Sequence, residues 1–377
     1  MSLKDKIAAL HNRQDDAPDL FAEYGVLVNP FPSSSQTSHN PRRTQSADEQ
    51  AEARIVSFLR DRKSQVVVVE GSQGVGKTNF LNHFETEIEE ALRGNDGYYL
   101  VRYLADPEAS FDGTIRRLFQ ELGEDHIKAL AHALSKNDTA LSSARTQDMR
   151  SALTCLWNSY FVTGDSDEFD DLVRLFMDWL YGSRILKAHK EKLKIHFRLD
   201  TVESKTAALR DIVIVSSEAG ILNGIFLLLD ELEKQDGVLS PTAVVRYLSA
   251  MRAIIDSLPN HLFMMLAVTP DALRRYSNAL PAFRSRLQNQ LTLQPLASFR
   301  EAKALANFYM DKAREEARKE ISNKPQGEKD LISSDEIKDI YEALSISANR
   351  RGDMGVSQRI FLHQLHVAAE QVIQGVD

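Results

Sequence analysis

The segment with the clearest chemical potential is GSQGVGKT, which occupies positions 71–78. Its three glycines have no Cβ atom, so successive backbone N–H groups can point inward at the oxygens of a phosphate. Lys77 adds a mobile positive charge for the terminal phosphates, and the hydroxyl of Thr78 is a hard oxygen ligand that suits Mg²⁺. The spacing fits G-x-x-x-x-G-K-[ST] and predicts a site for a nucleoside triphosphate, whereas the alternative is a glycine turn without a ligand. The predicted phosphate-binding residues are Gly71, Ser72, Gln73, Gly74, Val75, Gly76, Lys77, Thr78 and Asn79.

The sequence on either side of this loop predicts the elements that hold it. Val66–Val69 form a continuous β-branched run, which is typical of a strand buried on both faces of a parallel sheet. After the loop, aromatic and aliphatic residues recur every four positions from Phe80 to Leu92, which indicates a helix that packs one face on the sheet. The N-terminal end of that helix carries a partial positive charge and favours the same anion as the loop.

A second candidate for chemistry follows another apolar strand, Ile225–Leu229, which ends in Asp230 and Glu231. An aspartate at the carboxyl end of a neighbouring strand can hold the Mg²⁺ shell, and the adjacent glutamate can polarise an attacking water. The alternative is a strand that ends in a solvated acidic turn. Beside a phosphate-binding loop, the pair predicts hydrolysis of the bound nucleotide, with Thr78 and Asp230 as metal ligands and Glu231 as the catalytic base.

A third apolar strand runs from about Leu262 to Val268 and stops at Thr269. The threonine hydroxyl at that tip can reach a γ-phosphate or a water, and the alternative is a threonine that only precedes a proline-containing turn. Between the second and third strands, Ser240 as N-cap and Pro241 as the first helical residue predict a helix. Strand, helix and strand in this order indicate a parallel α/β sheet.

These motifs, followed by the segment NALPAFRSRLQNQLTLQPLASFREAKAL, resemble the AAA+ ATPases in their order along the chain. Within that class the sequence looks closest to the Orc/Cdc6 initiators and the TnsC/ExeA-type regulators. The segments LLLDELEK and AVTPDALRR also resemble the ATP-binding proteins of BREX phage-defence systems. The resemblance covers residues 25–105 and 205–377. It implies an α/β fold, namely a P-loop NTPase parallel-sheet domain with a helical insertion and a C-terminal helical lid.

The resemblance also implies roles for residues outside the glycine-rich loop and the Asp230–Glu231 pair. Thr269 matches the sensor-1 position, and Arg284 and Arg286 both lie in the segment that carries an arginine finger in such proteins. Arg274 or Arg275 stays open as the finger, and the alternative for all of them is a solvated basic turn. The segment GVSQRIFLHQL resembles the sensor-2 helix, with Arg359 in its first turn as the residue that reads the nucleotide from the lid. The flanking pattern departs from the usual Gly-x-Pro-Arg, which leaves a plain surface arginine as the alternative.

The predicted domains are an N-terminal extension (1–45), a P-loop ATPase domain (46–295) and a helical lid (296–377). Within the second, a helical insertion at about 108–205 is expected to pack on itself, with its aromatic stripe as core or, alternatively, as a partner surface. The stretch SKNDTALSSARTQD is expected to be an exposed link. The NPF segment within Val28–Phe31 matches a segment that lies near the adenine in the resembling regulators.

Composition limits the class of protein. The chain has 377 residues, 43% of them hydrophobic and 27% charged, which suits a globular core. It has a single cysteine, Cys155, so we expect a packed thiol rather than a disulfide or zinc site, and we expect a cytoplasmic protein without membrane contact. The formal net charge of −8 means that any nucleic-acid contact must come from a local patch. One such basic patch comprises Arg42, Arg43, Arg60, Arg62 and Lys63.

The motifs and the resemblance together predict an ATPase that uses ATP and Mg²⁺. We expect it to form a homo-oligomer through an arginine finger supplied in trans, and to act as a nucleotide-switched regulator that recruits partner proteins. Duplex DNA is a further candidate partner, in phage defence or transposition. The alternatives are a STAND-like signalling switch with tight nucleotide binding and slow turnover, and a scaffold with a decayed P-loop.

Overall fold

The structure is a computed structural model that describes residues 22–33, 45–104, 111–234, 238–287, 289–320, 327 and 329–374. The chain divides into two compact units. We call Thr44–Gly71 with Phe80–Leu293 the sheet unit, and Met1–Arg43 with Ser72–Asn79 and Gln294–Asp377 the terminal unit. The strands are β1 (Gln65–Glu70), β2 (Tyr98–Leu104), β3 (Gly224–Asp230), β4 (Leu262–Val268) and β5 (Asn289–Thr292). The helices are α1 (Gln45–Asp61), α2 (Lys77–Leu92), α3 (Asp112–Lys136), α4 (Gln147–Thr163), α5 (Asp167–Leu180), α6 (Lys187–Leu193), α7 (Val202–Glu218), α8 (Pro241–Ser257), α9 (Pro270–Ala279), α10 (Pro281–Arg284), α11 (Phe299–Glu320), α12 (Ser334–Arg351) and α13 (Gln358–Gln374).

The sheet unit is built on a five-stranded sheet in the order β2-β3-β4-β1-β5, with every neighbouring pair parallel. The three strands predicted from continuous apolar runs are confirmed. β3 and β4 are buried along their whole length, and the four valines of β1 are buried too. Strands of this kind lose water on both faces because helices cover them, which is why they carry no alternation of polar residues.

The helices on the sheet carry the predicted apolar stripe and N-cap. Phe80 and Phe84 of α2 are buried, and their rings lie 4.9 Å apart. The Ser240 side chain accepts a hydrogen bond from the backbone N–H of Ala243 and caps α8, as expected. On its inner face α8 buries Leu248, Met251 and Ile254, whereas Ile255 is only partly buried.

The inserted helices α3 to α6 share one hydrophobic core with the sheet. The ring of Phe111, just before α3, meets Tyr247 of α8 edge-on at 5.1 Å. Trp179, Phe169 and Phe176 of α5 are fully buried in the same core. The expectation that the insertion packs on itself is therefore too narrow, because its apolar faces also cover the sheet unit. Cys155 of α4 is half-buried rather than enclosed, and burial raises the pKa of its thiol.

The stretch expected to be an exposed link is a packed element. Residues Thr139–Ser143 form a 3₁₀ turn that buries Ala140 and Leu141. The fully buried carboxylate of Asp211 on α7 accepts hydrogen bonds from the backbone N–H groups of Arg145 and Thr146, at 3.0 and 2.9 Å. A buried carboxylate with several donors holds the chain in place, because losing one donor would leave a desolvated charge unpaired.

The terminal unit contains α11, α12 and α13 around a small apolar core of its own. At the start of α12, Ser333 and Glu336 form a capping box. Phe31 of the NPF segment is buried in this core, and its carbonyl accepts a hydrogen bond from Nδ1 of His366 at 2.7 Å. The last helix begins at Gln358, three residues later than Gly355, where the sequence placed its start.

Several expectations fall on residues outside the described ranges. These include most of the N-terminal extension, together with Arg42 and Arg43 of the basic patch. The other basic residues of that patch, Arg60, Arg62 and Lys63, are exposed. Among the described helices, none combines the length and the apolar character needed to cross a lipid bilayer.

A buried histidine gives the sheet unit a predicted pH dependence. His126 of α3 lies within hydrogen-bond distance of the Tyr99 hydroxyl (2.6 Å) and the Ser216 hydroxyl (2.9 Å), and burial lowers its pKa to about 4. In the unfolded chain a histidine titrates near 6.5, so between those two values only the unfolded state gains the proton. The free energy of unfolding should therefore be level above pH 6.5 and fall as the pH drops toward 4.

The size of that fall should reach on the order of 3 kcal/mol for this one group. We expect chemical denaturation of a His126→Gln variant, followed from pH 7.5 to 4, to show a clearly shallower decline than wild type. His132 is an exposed residue of the same helix, so His132→Gln serves as the control, and its stability should change with pH as that of wild type does. Parallel curves for wild type and His126→Gln would contradict this assignment.

Candidate nucleotide-binding site

The residues of the sheet unit for which the sequence predicts chemistry lie at the carboxyl ends of three neighbouring strands. β1 leads into Gly71, β3 ends at Asp230, and β4 leads into Thr269. The Gly71 backbone N–H donates to the carbonyl of Val268 at 3.2 Å, so the start of the P-loop (residues 71–78) is tied to the end of β4. Crevices at this edge of open parallel sheets are the usual place for ligands.

The remainder of the P-loop lies in the terminal unit, where two glycines adopt left-handed backbone conformations. Gly74 has φ +79° and Gly76 has φ +105°. A Cβ atom added to Gly76 would lie 2.8 Å from Oε1 of Gln358, so the glutamine would have to shift, and the backbone conformation at Gly76 itself disfavours a residue with a side chain. Lys77 begins α2 and is buried, with its Nζ donating to the carbonyl of Ser72 at 3.4 Å. The first turn of α2 contains no acidic residue, which favours an anion at its end.

The other predicted phosphate-binding residues differ in exposure. Ser72 and Gln73 are exposed, Thr78 is partly buried, and Val75 and Asn79 are buried. In a loop of this sequence, main-chain N–H groups rather than side chains are expected to hold phosphate oxygens.

The start of α13 lies against the P-loop within the terminal unit. The backbone N–H of Arg359 donates to the carbonyl of Gly74 at 3.0 Å, and the Ser357 hydroxyl donates to the same oxygen at 3.3 Å. The Arg359 side chain, which the sequence pointed to as the lid residue, is exposed. Its neighbour Gln358 is 3% exposed, beside Gly76.

Gln358 is the residue that sequence reasoning missed. Its Nε2 is buried and has no hydrogen-bond partner among the residues that the structure describes. Leaving a buried amide donor unsatisfied costs free energy, so this group beside the P-loop is a candidate donor to a phosphate oxygen. No local signal singles out Gln358 from its neighbour Arg359, because the side of a helix that is buried depends on how that helix packs.

Asp230 is almost fully enclosed, with 1% of its surface exposed. Its Oδ1 accepts a hydrogen bond from the backbone N–H of Glu231 at 2.9 Å, and its Oδ2 accepts one from Nη2 of Arg102 at 2.8 Å. Arg102 lies on β2 and was not among the residues singled out from the sequence. Each carboxylate oxygen keeps a second lone-pair direction, so Asp230 can still bind the shell of a metal ion.

Glu231 adopts a conformation that is rare for a residue with a side chain. Its φ is +54°, in the left-handed region. Its carboxylate forms an ion pair with Lys234 and is about one-third exposed. Non-glycine residues in this region cluster where function requires a particular direction of the side chain, which agrees with the role predicted for Glu231.

Thr269 caps the helix that follows β4. Its hydroxyl oxygen accepts a hydrogen bond from the backbone N–H of Ala272 at 3.4 Å. The local turn alone explains a threonine at this position. The hydroxyl hydrogen is still available as a donor, so the capping contact leaves the predicted sensor role chemically open.

The candidate finger arginines differ in their partners. Nε and Nη2 of Arg286 donate hydrogen bonds to the carboxylate of Asp256, at 2.7 and 3.3 Å. This contact raises the pKa of Arg286. Arg274 pairs with Asp271, and Arg275 is exposed. Arg284 is exposed and forms no ion pair or side-chain hydrogen bond with any residue in the described part of the chain.

The residues fit a magnesium nucleotide better than a metal ion alone. Within the described ranges, no three His, Cys, Asp or Glu side chains come together to bind a metal ion. Magnesium is usually held by one or two protein oxygens together with waters and substrate phosphates, and in the sheet unit Asp230 supplies an oxygen of that kind. The glycine cradle at Gly76 and the unpaired amide of Gln358 supply what a phosphate group requires.

A parallel sheet in this order, with a P-loop after β1 and an Asp-Glu pair after β3, defines a P-loop NTPase fold of the AAA+ class. The chain is therefore built as a nucleotide-binding protein. The family described as BREX system ATP-binding protein BrxC/D matches residues 114–373, and the chain belongs to this family. The resemblance to BREX ATP-binding proteins is thus confirmed. The matched range includes the acidic pair and α13 but begins after the P-loop.

Two solved structures are similar at low sequence identity. The ORC2 protein of Aeropyrum pernix, in ADPNP–ADP complexes, shares 13% identity with a TM-score of 0.44, over 88% of this chain and 68% of that chain. Drosophila ORC bound to DNA shares 11% identity with a TM-score of 0.34, over 93% of this chain and 66% of that chain. No curated protein sequence matches the chain.

The geometry at α13 predicts unequal effects for two adjacent substitutions. Gln358→Ala removes a buried amide beside Gly76, whereas Arg359→Ala removes an exposed side chain and keeps the backbone N–H that bonds Gly74. Because a hydrogen bond to a charged group contributes roughly 1.5–3 kcal/mol, Gln358→Ala should weaken ATP binding about tenfold or more. Arg359→Ala should change it less than about threefold.

Calorimetric titration of both variants with a slowly hydrolysed ATP analogue measures the difference directly. Thermal unfolding without nucleotide serves as the control for general destabilisation. A larger loss of affinity in Arg359→Ala would show that the arginine, as the sequence suggested, is the residue that reads the nucleotide.

Proposed function

We propose that this chain is a Mg²⁺-dependent ATPase of the BREX ATP-binding family, acting as a nucleotide-switched regulator. The observation that carries the proposal is the shared edge of the sheet, where Gly71, Asp230 and Thr269 follow three adjacent parallel strands. That edge combines the beginning of a phosphate-binding loop with a buried acid and its neighbouring glutamate. In this proposal residues 296–377 act as the lid.

Each residue would contribute a distinct part of the chemistry. The P-loop amides and Lys77 bind the phosphates, and the Thr78 hydroxyl and Asp230 hold the metal shell. When bound, magnesium neutralises charge on the phosphate oxygens. Glu231 orients the attacking water and accepts its proton, and its backbone conformation fixes the direction of its carboxylate. Thr269 donates its hydroxyl hydrogen to the γ-phosphate or to that water.

Replacement of the proposed base tests the hydrolytic step. Glu231→Gln keeps the shape of the side chain but removes its capacity to accept a proton, so turnover should fall at least about 100-fold. Binding of ATP should persist, because no phosphate contact depends on that carboxylate. Phosphate release measures turnover, and Glu203→Gln, an exposed acid of the same unit, is the matched control. Hydrolysis at the wild-type rate in Glu231→Gln would remove Glu231 from the mechanism.

We further propose that ATP held between copies of the chain drives their assembly, which then recruits partner proteins, with duplex DNA as a candidate platform. The best-supported finger is Arg284, which is exposed and has no ion pair with the described residues of its own chain. Arg286 already pairs with Asp256, so its release would first cost that contact. A finger in trans would make hydrolysis depend on assembly.

Mixing two inactive variants distinguishes a finger in trans from one in cis. Arg284→Ala lacks the finger and Lys77→Ala lacks the phosphate contact, and each alone should hydrolyse ATP at least about 100-fold more slowly than wild type. If Arg284 acts on a neighbouring copy, the mixture should regain activity at interfaces that combine an intact site with an intact finger. Arg286→Ala should retain most of the activity.

Sedimentation velocity with and without a slowly hydrolysed ATP analogue accompanies this assay. Turnover should rise with protein concentration, and measurements with and without duplex DNA at stated salt separate DNA from protein as the stimulus. A chain that sediments as a monomer in all conditions, with no rescue in the mixture, would refute the assembly proposal and leave the ATPase proposal standing.

A STAND-like switch is the second candidate, because both acids are already engaged within the chain. Asp230 bonds Arg102 and Glu231 pairs with Lys234, an arrangement that would slow turnover. Such a switch would retain ADP through purification and hydrolyse ATP at a rate near zero. Extraction and quantification of the nucleotide carried by the purified protein, together with its turnover rate, decide between the two.

A further inference from the structure

The carboxylate of Asp230 carries a buried charge that the chain itself balances. A carboxylate with 1% exposure needs a cation or a set of donors, because an isolated buried charge is strongly unfavourable. Arg102 supplies both, with its Nη2 2.8 Å from Oδ2 of Asp230. The acid expected to hold the metal shell is therefore already paired with a cation of its own chain.

The strand register explains how Arg102 reaches this acid. β2 and β3 are parallel, with Arg102 opposite Leu228 and Leu104 opposite Asp230. Alternate residues of a strand point to the same face, so Arg102 lies on the same face of the sheet as Asp230, at the level of Leu228, two residues before it. The arginine side chain is long enough to reach Asp230 from that position, whereas a short side chain is not.

Arg102 also has a second acidic partner on the helix that packs over that face. Its Nε lies 3.5 Å from Oε2 of Glu85, and its Nη2 lies 3.3 Å from Oδ1 of Asn82, both on α2. Its Nη1 is buried without a hydrogen-bond partner among the described residues. The Arg102 guanidinium is thus shared between two acids, and neither acid alone satisfies all of its hydrogen-bond donors. Such a guanidinium can exchange one acidic partner for the other.

We propose that Arg102 neutralises Asp230 in the metal-free chain and that magnesium competes with the Arg102 guanidinium for this carboxylate. When the metal binds, the guanidinium leaves Asp230 and keeps its ion pair with Glu85. The inference rests on the proposed function, because it assigns Asp230 to the metal shell. A cation fixed beside a metal site opposes the metal ion, so Arg102 sets a threshold for magnesium. Nucleotide alone binds the P-loop without displacing Arg102, and the metal completes the change.

The proposal predicts opposite effects for the two partners of the exchange. Arg102→Met removes the competing charge, so metal affinity should rise about tenfold. Glu85→Gln removes the second acidic partner of Arg102, so metal affinity should fall about threefold. In the Arg102→Met background, Glu85→Gln should have little further effect, because Glu85 acts through Arg102.

Titration of Mn²⁺ by electron paramagnetic resonance measures these affinities without turnover, in the presence of a slowly hydrolysed ATP analogue. Lys205→Met is the matched control, since Lys205 is another buried cation of the sheet unit and pairs with Asp112 at 2.5 Å. It should lower thermal stability without changing metal affinity. Affinity for a fluorescent ATP analogue in excess chelator should be the same in wild type and Arg102→Met.

The outcomes separate the inference from the proposal beneath it. Unchanged or weaker metal binding in Arg102→Met would show that the arginine only orients Asp230 and would overturn the exchange. An equal fall from Glu85→Gln with and without Arg102 would do the same, because Glu85 would then act on the metal directly. If Arg102→Met does not fold, unchanged metal affinity in Glu85→Gln alone overturns it. Wild type that binds neither analogue nor Mn²⁺ would instead refute the proposed nucleotide site.

Discussion

The negative charge enclosed at the end of β3 is the constraint on which this edge of the sheet depends. Asp230 cannot be both buried and charged unless donors surround it, and the chain meets that requirement with one backbone amide and one guanidinium. Both donors constrain their own elements. The amide belongs to Glu231, whose left-handed backbone turns the chain at this point, and the guanidinium comes from β2, whose register sets its reach. The site is therefore a property of three elements and not of one motif.

Covering both faces of the sheet with helices makes such a site possible. Strands buried along their length lose solvent entirely, so polar groups concentrate where the strands end and the backbone can still turn. Asp211 and His126 show the same physics away from this edge, since each is enclosed and each is matched by hydroxyl or amide groups. Other buried polar atoms of the sheet unit, such as Nε1 of Trp157 and Oγ1 of Thr206, have no hydrogen-bond partner among the described residues, and Nη1 of Arg102 belongs to the same group.

Much of this could be predicted from the sequence, because local patterns determine it. The four valines before the P-loop, the apolar runs of β3 and β4, and the caps at Ser240 and Ser333 are all legible within a few residues. What could not be predicted depends on register. The pairing of Arg102 with a residue 128 positions away requires the alignment of two strands, and the burial of Gln358 depends on how α13 packs against the P-loop. The turn at Thr139–Ser143 looked polar because its few buried residues are small or isolated in sequence.

The continuous core beneath β2 and the inserted helices has a consequence for how this protein can vary. A segment that folds around its own interior can be removed or exchanged as a module, whereas here Phe111 packs against Tyr247 of α8 and the aromatic residues of α5 belong to the same continuous core. Excising the inserted helices would expose apolar residues of that core to solvent. Lineages that alter this region are thus confined to changing its outward surface, while the interior keeps the volume that the sheet requires.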